Sequence, residues 1–264
     1  MSDSHVMQLI RLELIDTHCH LTAINEQQLS VVLDNAAKCS VTRFITIGAG
    51  VGSASGQKAV ALTERFSNIW ASVGVHPHDA GKAKMSELAS LVTHSKVVAI
   101  GETGLDFFRD WAPKHEQEAC FRETITLAKK IGKPIIIHCR DAREEVWKIL
   151  VEENGEQVGG VFHCFSEDED FAAKVCEMNF RVSFTGNITF KKAERLREAV
   201  KKIPLTQILL ETDTPYMAPE PFRGKPSEPM HVYTVAQCIA NIKGLTIDEV
   251  AGVTTANARE LFRF

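Results

Sequence analysis

The sequence predicts an α/β protein, a (β/α)8 TIM barrel forming a single domain over residues 1–264. Three observations carry that prediction. Short apolar runs alternate with longer amphipathic segments along the chain, eight times in all. The length of 264 residues suits eight strand–helix repeats. No Gly-x-Gly-x-x-Gly follows the first apolar run, which argues against an open, doubly wound nucleotide-binding sheet.

The expected strands are 12–16, 43–48, 70–75, 97–101, 134–138, 160–163, 181–185 and 207–210. Most are nearly continuous apolar runs rich in Ile and Val, as in parallel strands covered on both faces. Helical spacing is expected over 29–39, 56–66, 113–131, 143–152, 168–178 and 192–202. Pro113 at the start of the third of these and Gly132 just past its end follow the usual helix asymmetry. A Pro-rich loop, 215–229, precedes two closing helices, 230–242 and 246–262. Thr246 with Glu249 three residues on reads as a capping box.

Composition narrows the function classes. A net charge of −4 argues against a protein that coats nucleic acid non-specifically. It leaves room for an enzyme that grips nucleic acid through metals and a few Arg and Lys. The seven cysteines include no Cys-x-x-Cys pair and are expected to be reduced thiols. Cys19, Cys139 and Cys164 each directly follow a His and are expected on the opposite strand face. No apolar run is long enough to span a membrane, and residues 1–8 are too polar for a signal peptide. A cytoplasmic monomer without membrane partners is expected.

In such barrels the reactive residues gather at the C-terminal ends of the strands. The polar residues of this chain fall there. Strand one ends in His18-Cys19-His20, whose alternate residues aim at one point. Strand three ends in His76-Pro77-His78 and strand four in Glu102-Thr103-Gly104-Leu105-Asp106. Strand five ends in His138-Cys139-Arg140-Asp141, strand six in His163-Cys164-Phe165, and strand eight in Glu211-Thr212-Asp213-Thr214-Pro215. A lone His at a strand end is commonly structural; this recurrence on one face points to a site. His18, His20, His138, His163, Glu102 and Asp213 offer four imidazoles and two carboxylates. One open metal site needs about three protein ligands, so six fit two divalent cations, Mg, Mn or Zn. Glu102 is the expected bridge, because its strand lies between those of the two His groups. Two such metals can clamp an in-line displacement at phosphorus, and the same chemistry reaches amide and lactone carbonyls.

The chain resembles the TatD family of metal-dependent deoxyribonucleases, within the amidohydrolase-like barrels. The resemblance runs nearly end to end. It rests on Ile15-Asp16-Thr17-His18-Cys19-His20-Leu21, Gly74-Val75-His76-Pro77-His78 and Gly101-Glu102-Thr103-Gly104-Leu105-Asp106. It continues through Pro134-Ile135-Ile136-Ile137-His138-Cys139-Arg140, His163-Cys164-Phe165-Ser166, Glu211-Thr212-Asp213-Thr214-Pro215-Tyr216 and Arg223-Gly224-Lys225-Pro226. The resemblance implies a first metal on His18, His20, Glu102 and Asp213, and a second on Glu102, His138 and His163. It also implies a catalytic contribution from His76. Two positions depart from the family pattern, Thr22 after the His-x-His and Ser227 in the Pro-rich loop; they bear on substrate preference rather than on the metals.

The expected catalytic set is Asp213, Glu102, His76, Arg140 and Glu211. Asp213 would take the proton of the attacking water, and Glu211 would hold a ligating His. His76, Arg140, Arg223 and Lys225 are expected to bind substrate; Arg143, Lys191 and Lys192 extend that basic set. The alternative for His76 is a residue fixing the Pro77 turn, and for Arg140 a salt bridge to Asp141 or Glu144. Tyr216 and Phe222 are candidates for stacking on bases, or equally for packing the Pro-rich loop. The expected activity is a two-metal DNA phosphodiesterase, an exonuclease favouring single-stranded ends. The rival is hydrolysis of an amide, lactone or aminoacyl ester at the same metals.

Overall fold

A computed structural model describes residues 12–82, 85–109 and 111–264. Residues 1–8, read above for a signal peptide, lie outside them. The strands are β1 (Leu14–Cys19), β2 (Val41–Ala49), β3 (Ile69–Gly74), β4 (Val97–Asp106), β5 (Ile135–Arg140), β6 (Gly160–Phe162), β7 (Phe180–Phe184) and β8 (Ile208–Leu210). They form one sheet in sequence order, and every neighbouring pair is parallel. The sheet closes where β1 meets the segment after β8. Cys19 bridges Thr214, and the His20 amide donates to the Thr214 carbonyl at 2.8 Å. The result is the expected eight-stranded barrel.

The helices are α1 (Glu26–Lys38), α2 (Ala54–Arg65), α3 (Lys114–Ile131), α4 (Arg143–Glu152), α5 (Glu169–Glu177), α6 (Glu194–Lys202), α7 (Val232–Lys243) and α8 (Ile247–Phe262). Thr246 and Glu249 make the expected reciprocal cap of α8. One connection differs from the strand–helix repeat. Between β3 and β4 the described residues hold only 3-10 turns, Pro77–Asp79 and Met85–Leu88. Pro77 and Gly81 interrupt that segment, and the helix count is restored by two helices, α7 and α8, after β8.

The core has two layers. Between strands and helices lies the larger one, including Leu14, Phe44, Phe121, Val146, Phe162 and Phe184. Inside the barrel and below it lies a smaller one, with Ile15, Ile45, Ile47, Ile136, Val161 and Leu209 packed on Ala258 and Phe262 of α8. Cys19 belongs to the outer layer, as its neighbour's inward direction requires. Cys164 does not sit on a strand: β6 ends at Phe162, and Cys164 takes a positive φ of 44° in the loop beyond.

Two strands run further than the sequence suggests and are irregular at the residues that matter. β1 passes through His18, and β4 passes through Glu102 to Asp106. Between Asp16 and Cys19, three steps of β1 match two of β2 (Phe44 to Thr46). The extra residue changes parity, so His18 shares the inner side with Ile15. In β4, Gly101 pairs Ile136 and Thr103 pairs Ile137, leaving Glu102 as the inserted residue of a bulge. The close approach of strands here requires glycine. A Cβ on Gly74 would lie 2.6 Å from the Gly101 backbone, and one on Gly101 would lie 2.6 Å from the Ile136 carbonyl oxygen.

Candidate metal centre

The bulge in β4 aims Glu102 at the barrel axis, where the residue is 3% exposed. Imidazoles face its two oxygens separately. On Oε1, His138 Nδ1 and His163 Nε2 stand at 2.8 Å and His76 Nε2 at 3.3 Å. On Oε2, His18 Nε2 stands at 3.5 Å and His20 Nε2 at 3.9 Å. Asp213 closes the second group, with Oδ1 at 3.6 Å from His18 and 3.3 Å from His20. Six residues from β1, β4, β5 and the loops after β6 and β8 thus converge with His76 on one buried point. The atoms of His18, His20 and Asp213 lie within 4.8 Å of one another, as do those of His76, Glu102 and His138, and those of His18, Glu102 and His163.

Asp213 holds its place through backbone geometry. Its φ is 56°, a left-handed conformation uncommon for a non-glycine residue. Its amide donates to the His18 carbonyl at 2.9 Å, and its carbonyl accepts from Tyr216 at 2.8 Å. Beneath it, the fully buried Asp16 accepts from the Thr212 amide at 3.0 Å and the Thr212 hydroxyl at 2.6 Å. Burial pushes that carboxyl well up, and the hydrogen bonds it accepts from Thr212 tie β1 to the segment after β8.

The imidazoles are oriented from behind. His138 presents Nδ1 to Glu102 while its Nε2 contacts Asp106 Oδ2 at 3.1 Å. The same Asp106 oxygen meets His78 Nε2 at 2.8 Å, and Asp106 Oδ1 accepts from the Phe108 and Arg109 amides. His163 presents Nε2 to Glu102; its Nδ1 lies 3.5 Å from Glu211, which accepts from the Cys164 amide and the Ser183 hydroxyl. His76 does two things at once. Its Nδ1 accepts from the His78 amide and caps the Pro77 turn, while its Nε2 faces Glu102. The turn-fixing alternative for His76 is thus observed, and its second nitrogen is left facing Glu102.

The electrostatics suit a cation. Burial opposes the charge on Glu102, but His163, His76 and His138 outweigh it and hold the carboxyl well below the usual range. Burial also opposes the charge on Asp213, and its His20 contact overcomes it, so this carboxyl too is lowered. His163 is held well above the usual imidazole range: its burial is overridden by Glu102. His18 is lowered by burial and then by the His163 charge. Among the described residues, both nitrogens of the fully buried His18 ring lack a hydrogen-bond partner, as does Nδ1 of His163. Buried polar groups are rarely left unpaired without cost. Two ligand atoms about 2.1 Å from one cation stand roughly 3.0–3.4 Å apart. The spacings of His18, His20 and Asp213 approach that range, whereas those on His18 are too long for hydrogen bonds. The donor set therefore fits divalent metal on both sides of Glu102.

Not every expected residue joins this point. Arg140 makes neither expected salt bridge among the described residues; its guanidinium lies over the Phe108 ring at 3.8 Å. Arg143 is held by Asp168 at 2.7 Å and by Glu144 at 3.1 Å, so its charge is spent locally. Arg223 lies over Phe190 at 4.3 Å and Lys225 is exposed on the Pro-rich loop, so the structure sets neither against Glu102 or Asp213. Phe222 stacks on His231 at 4.8 Å and packs the loop, where the buried Ser227 hydroxyl also meets His231 Nδ1 at 3.2 Å. Tyr216 is exposed and stands 6.0 Å from His20. Sequence reasoning assigned no part to Asp106, His78 or Asp16. Asp106 was within reach: it shares the alternation of Gly104, which pairs His138 in register.

Comparison with known proteins agrees with this architecture. A family model described as TatD related DNase matches residues 15–263. An uncharacterized metal-dependent hydrolase of Bacillus subtilis, YabD, is 44% identical over 254 residues, covering 95% of this chain and 99% of that protein. A protein of Shigella flexneri named 3'-5' ssDNA/RNA exonuclease TatD is 33% identical over 221 residues, covering 81% of this chain and 85% of its own length. The crystal structure of YJJV, a TatD homologue of Escherichia coli, superposes with a TM-score of 0.89 at 28% identity, covering 96% of this chain and 99% of that one. The barrel, the ring of imidazoles around Glu102 and these likenesses lead to one conclusion: the chain belongs to the TatD-related DNase family.

Proposed function

We propose that this TatD-family hydrolase is a two-cation phosphodiesterase acting on single-stranded DNA ends. The observation that carries the reading is the division of Glu102: one carboxylate, with a separate group of imidazoles on each oxygen. His18, His20 and Asp213 with one oxygen form one cation site, and His138 and His163 with the other form the second. Two divalent cations, when bound, supply a nucleophile from water at neutral pH and neutralise charge at phosphorus.

The chain's own groups do the rest. Asp213, held ionised among imidazoles, orients the attacking water and accepts its proton. His76 Nε2, on the open side of Glu102, donates to the phosphoryl oxygen as charge develops. Asp106 and Glu211 fix the rings of His138 and His163 so that the ligand atoms stay in place. Arg140, at the mouth, meets a neighbouring phosphate. The Shigella flexneri relative's name supports single-stranded nucleic acid as substrate. Cytoplasmic location and a monomeric state belong to this reading; no helix among the described residues is long and apolar enough to cross a membrane.

The test is metal-reconstituted protein with end-labelled single- and double-stranded DNA and with RNA, beside a panel of amides, lactones and aminoacyl esters. Release of nucleotides from DNA ends only with divalent metal is expected, fastest from single strands. Hydrolysis of an amide or ester with every nucleic-acid end untouched would replace this reading with the rival.

A further inference from the structure

Among the described residues, the aromatic side chains that are largely exposed are Trp111 at 61%, Tyr216 at 60%, Phe108 at 55% and Tyr233 at 37%. All but Tyr233, which lies in α7, follow the C-terminal ends of strands, around the mouth that holds Glu102. Phe108 and Trp111 lie on the loop after β4, and Tyr216 lies on the loop after β8. Strands four apart in an eight-stranded barrel stand across from each other. A chain of ring contacts joins the two sides through the cluster. Tyr216 meets His20 at 6.0 Å, and on the far side Trp111 meets His78 at 4.4 Å. Between them His18 stacks on His163 at 3.9 Å, and His138 lies 6.2 Å from His78.

The side after β4 also carries positive charge in a particular arrangement. Arg140 lies over Phe108 at 3.8 Å, and Arg109 lies over Trp111 at 5.3 Å and Phe108 at 5.6 Å. Neither guanidinium pairs with a carboxylate among the described residues, unlike Arg143 and Arg195 nearby, which share Asp168. Exposed rings interleaved with guanidinium groups form a surface for flat, apolar-faced groups on a polyanion.

We infer that Trp111 with Phe108 on one side of the metal cluster, and Tyr216 on the other, stack the unpaired bases flanking the scissile phosphate of a single-stranded polynucleotide. This inference rests on the nuclease reading and names the residues that select for single strands. Arg140 and Arg109 meet the backbone on the Trp111 side. A paired base keeps its faces stacked within the duplex and has none to offer these rings, so the selection follows from geometry rather than from base identity.

The experiment compares binding of two fluorescein-labelled hexamers of equal charge, oligothymidylate and an abasic tetrahydrofuran phosphate hexamer, to full-length Asp213→Asn protein in manganese by anisotropy. Oligothymidylate should bind about a hundredfold more tightly, since stacking on an aromatic side chain contributes roughly 5- to 150-fold per base and a base is stacked on each side. Adding Trp111→Leu or Tyr216→Leu should each cut that preference by about tenfold, and Trp111→Phe should keep most of it. Both rings are exposed, so circular dichroism should show an unchanged fold. Equal or absent binding of the two hexamers, or a preference unmoved by both leucine variants, overturns the inference. Its failure is distinct from that of the nuclease reading. Wild type that cuts both hexamers equally retains the nuclease and loses the stacking, whereas base-selective binding without any cleavage does the reverse.

Discussion

The two ends of the barrel are made from the same strands and resolve their polar groups in opposite ways. At the N-terminal end, Ile15, Ile45, Ile47 and Leu209 fill the interior and α8 covers it with Ala258 and Phe262. Charges at this end find partners within the chain. Glu13 accepts from Arg43 at 2.8 Å, from Arg259 at 2.6 Å and from Thr42 at 3.2 Å. At the C-terminal end, Glu102 faces five imidazoles, and both nitrogens of His18 have no hydrogen-bond partner among the described residues. The difference teaches where the folding free energy comes from. The lower end is complete by itself; the upper end is completed by what it binds, and the lower end must hold the strands in register while it waits.

The largest effect should come from the upper end. Glu102→Ala removes the residue proposed to be shared by two cation sites, so elemental analysis should find both metals depleted and activity should fall by about three orders of magnitude or more. Full metal occupancy in that variant would remove the bridging role. Asp213→Asn should nearly abolish turnover with the unfolding midpoint little changed, since it deletes the proton acceptor and a ligand charge.

At the lower end the expected loss is in stability instead. Leu209→Ala in the fully buried inner layer should cost about 2–5 kcal/mol in urea unfolding, with metal stoichiometry unchanged in the folded protein. If its metal content fell in step with its stability, the two ends would be coupled and the division drawn here would fail.

Between these lies Asp106→Asn. It retains an oxygen for the Phe108 and Arg109 amides but loses the charge that holds His138. Metal affinity or activity should drop about 10–100-fold. An unfolding curve that moved while metal affinity did not would mark Asp106 as part of the loop alone.

The smallest effect is expected at Glu13. Burial opposes its charge, but Arg43 and Arg259 outweigh that and lower the carboxyl. A depressed carboxyl contributes stability above its unfolded pKa and loses it as pH falls through the folded value. Glu13→Gln should therefore cost about 0.5–1 kcal/mol at neutral pH, the pairs being part-exposed, and nothing once the medium is more acidic than that lowered value. Urea melts at both pH values check the sign.

Much of this was legible in the sequence because the barrel's repeat is periodic and the site's residues cluster at strand ends. His18-x-His20, Glu102, His138, His163 and Asp213 follow from spacing and from the family resemblance. What was hidden is local geometry. The irregular steps at Asp16 to Cys19 and at Glu102 leave no mark in composition, since a bulge depends on register with the neighbouring strand. After β3, where no helical stretch is expected from the sequence, the described residues hold only 3-10 turns, so the irregular repeat was itself legible. Arg143 was read as a contact for nucleic acid, but Asp168, which caps α5 25 residues away, takes its charge. Such pairings over long separations cannot be seen before the chain is folded.

The seam that closes the barrel has a consequence for synthesis. His18 and Asp213 meet across it, with the Asp213 amide on the His18 carbonyl, although 195 residues separate them along the sequence. At about 5–20 residues per second, a ribosome would need roughly ten to forty seconds to travel from one to the other. Throughout that interval the nascent chain holds the first two histidines, and later the other three imidazole partners and Glu102, but no Asp213 and no closing contact. Asp213 is the last of these residues to be made, so translation itself times the site, and a polypeptide released before Asp213 leaves the ribosome unarmed.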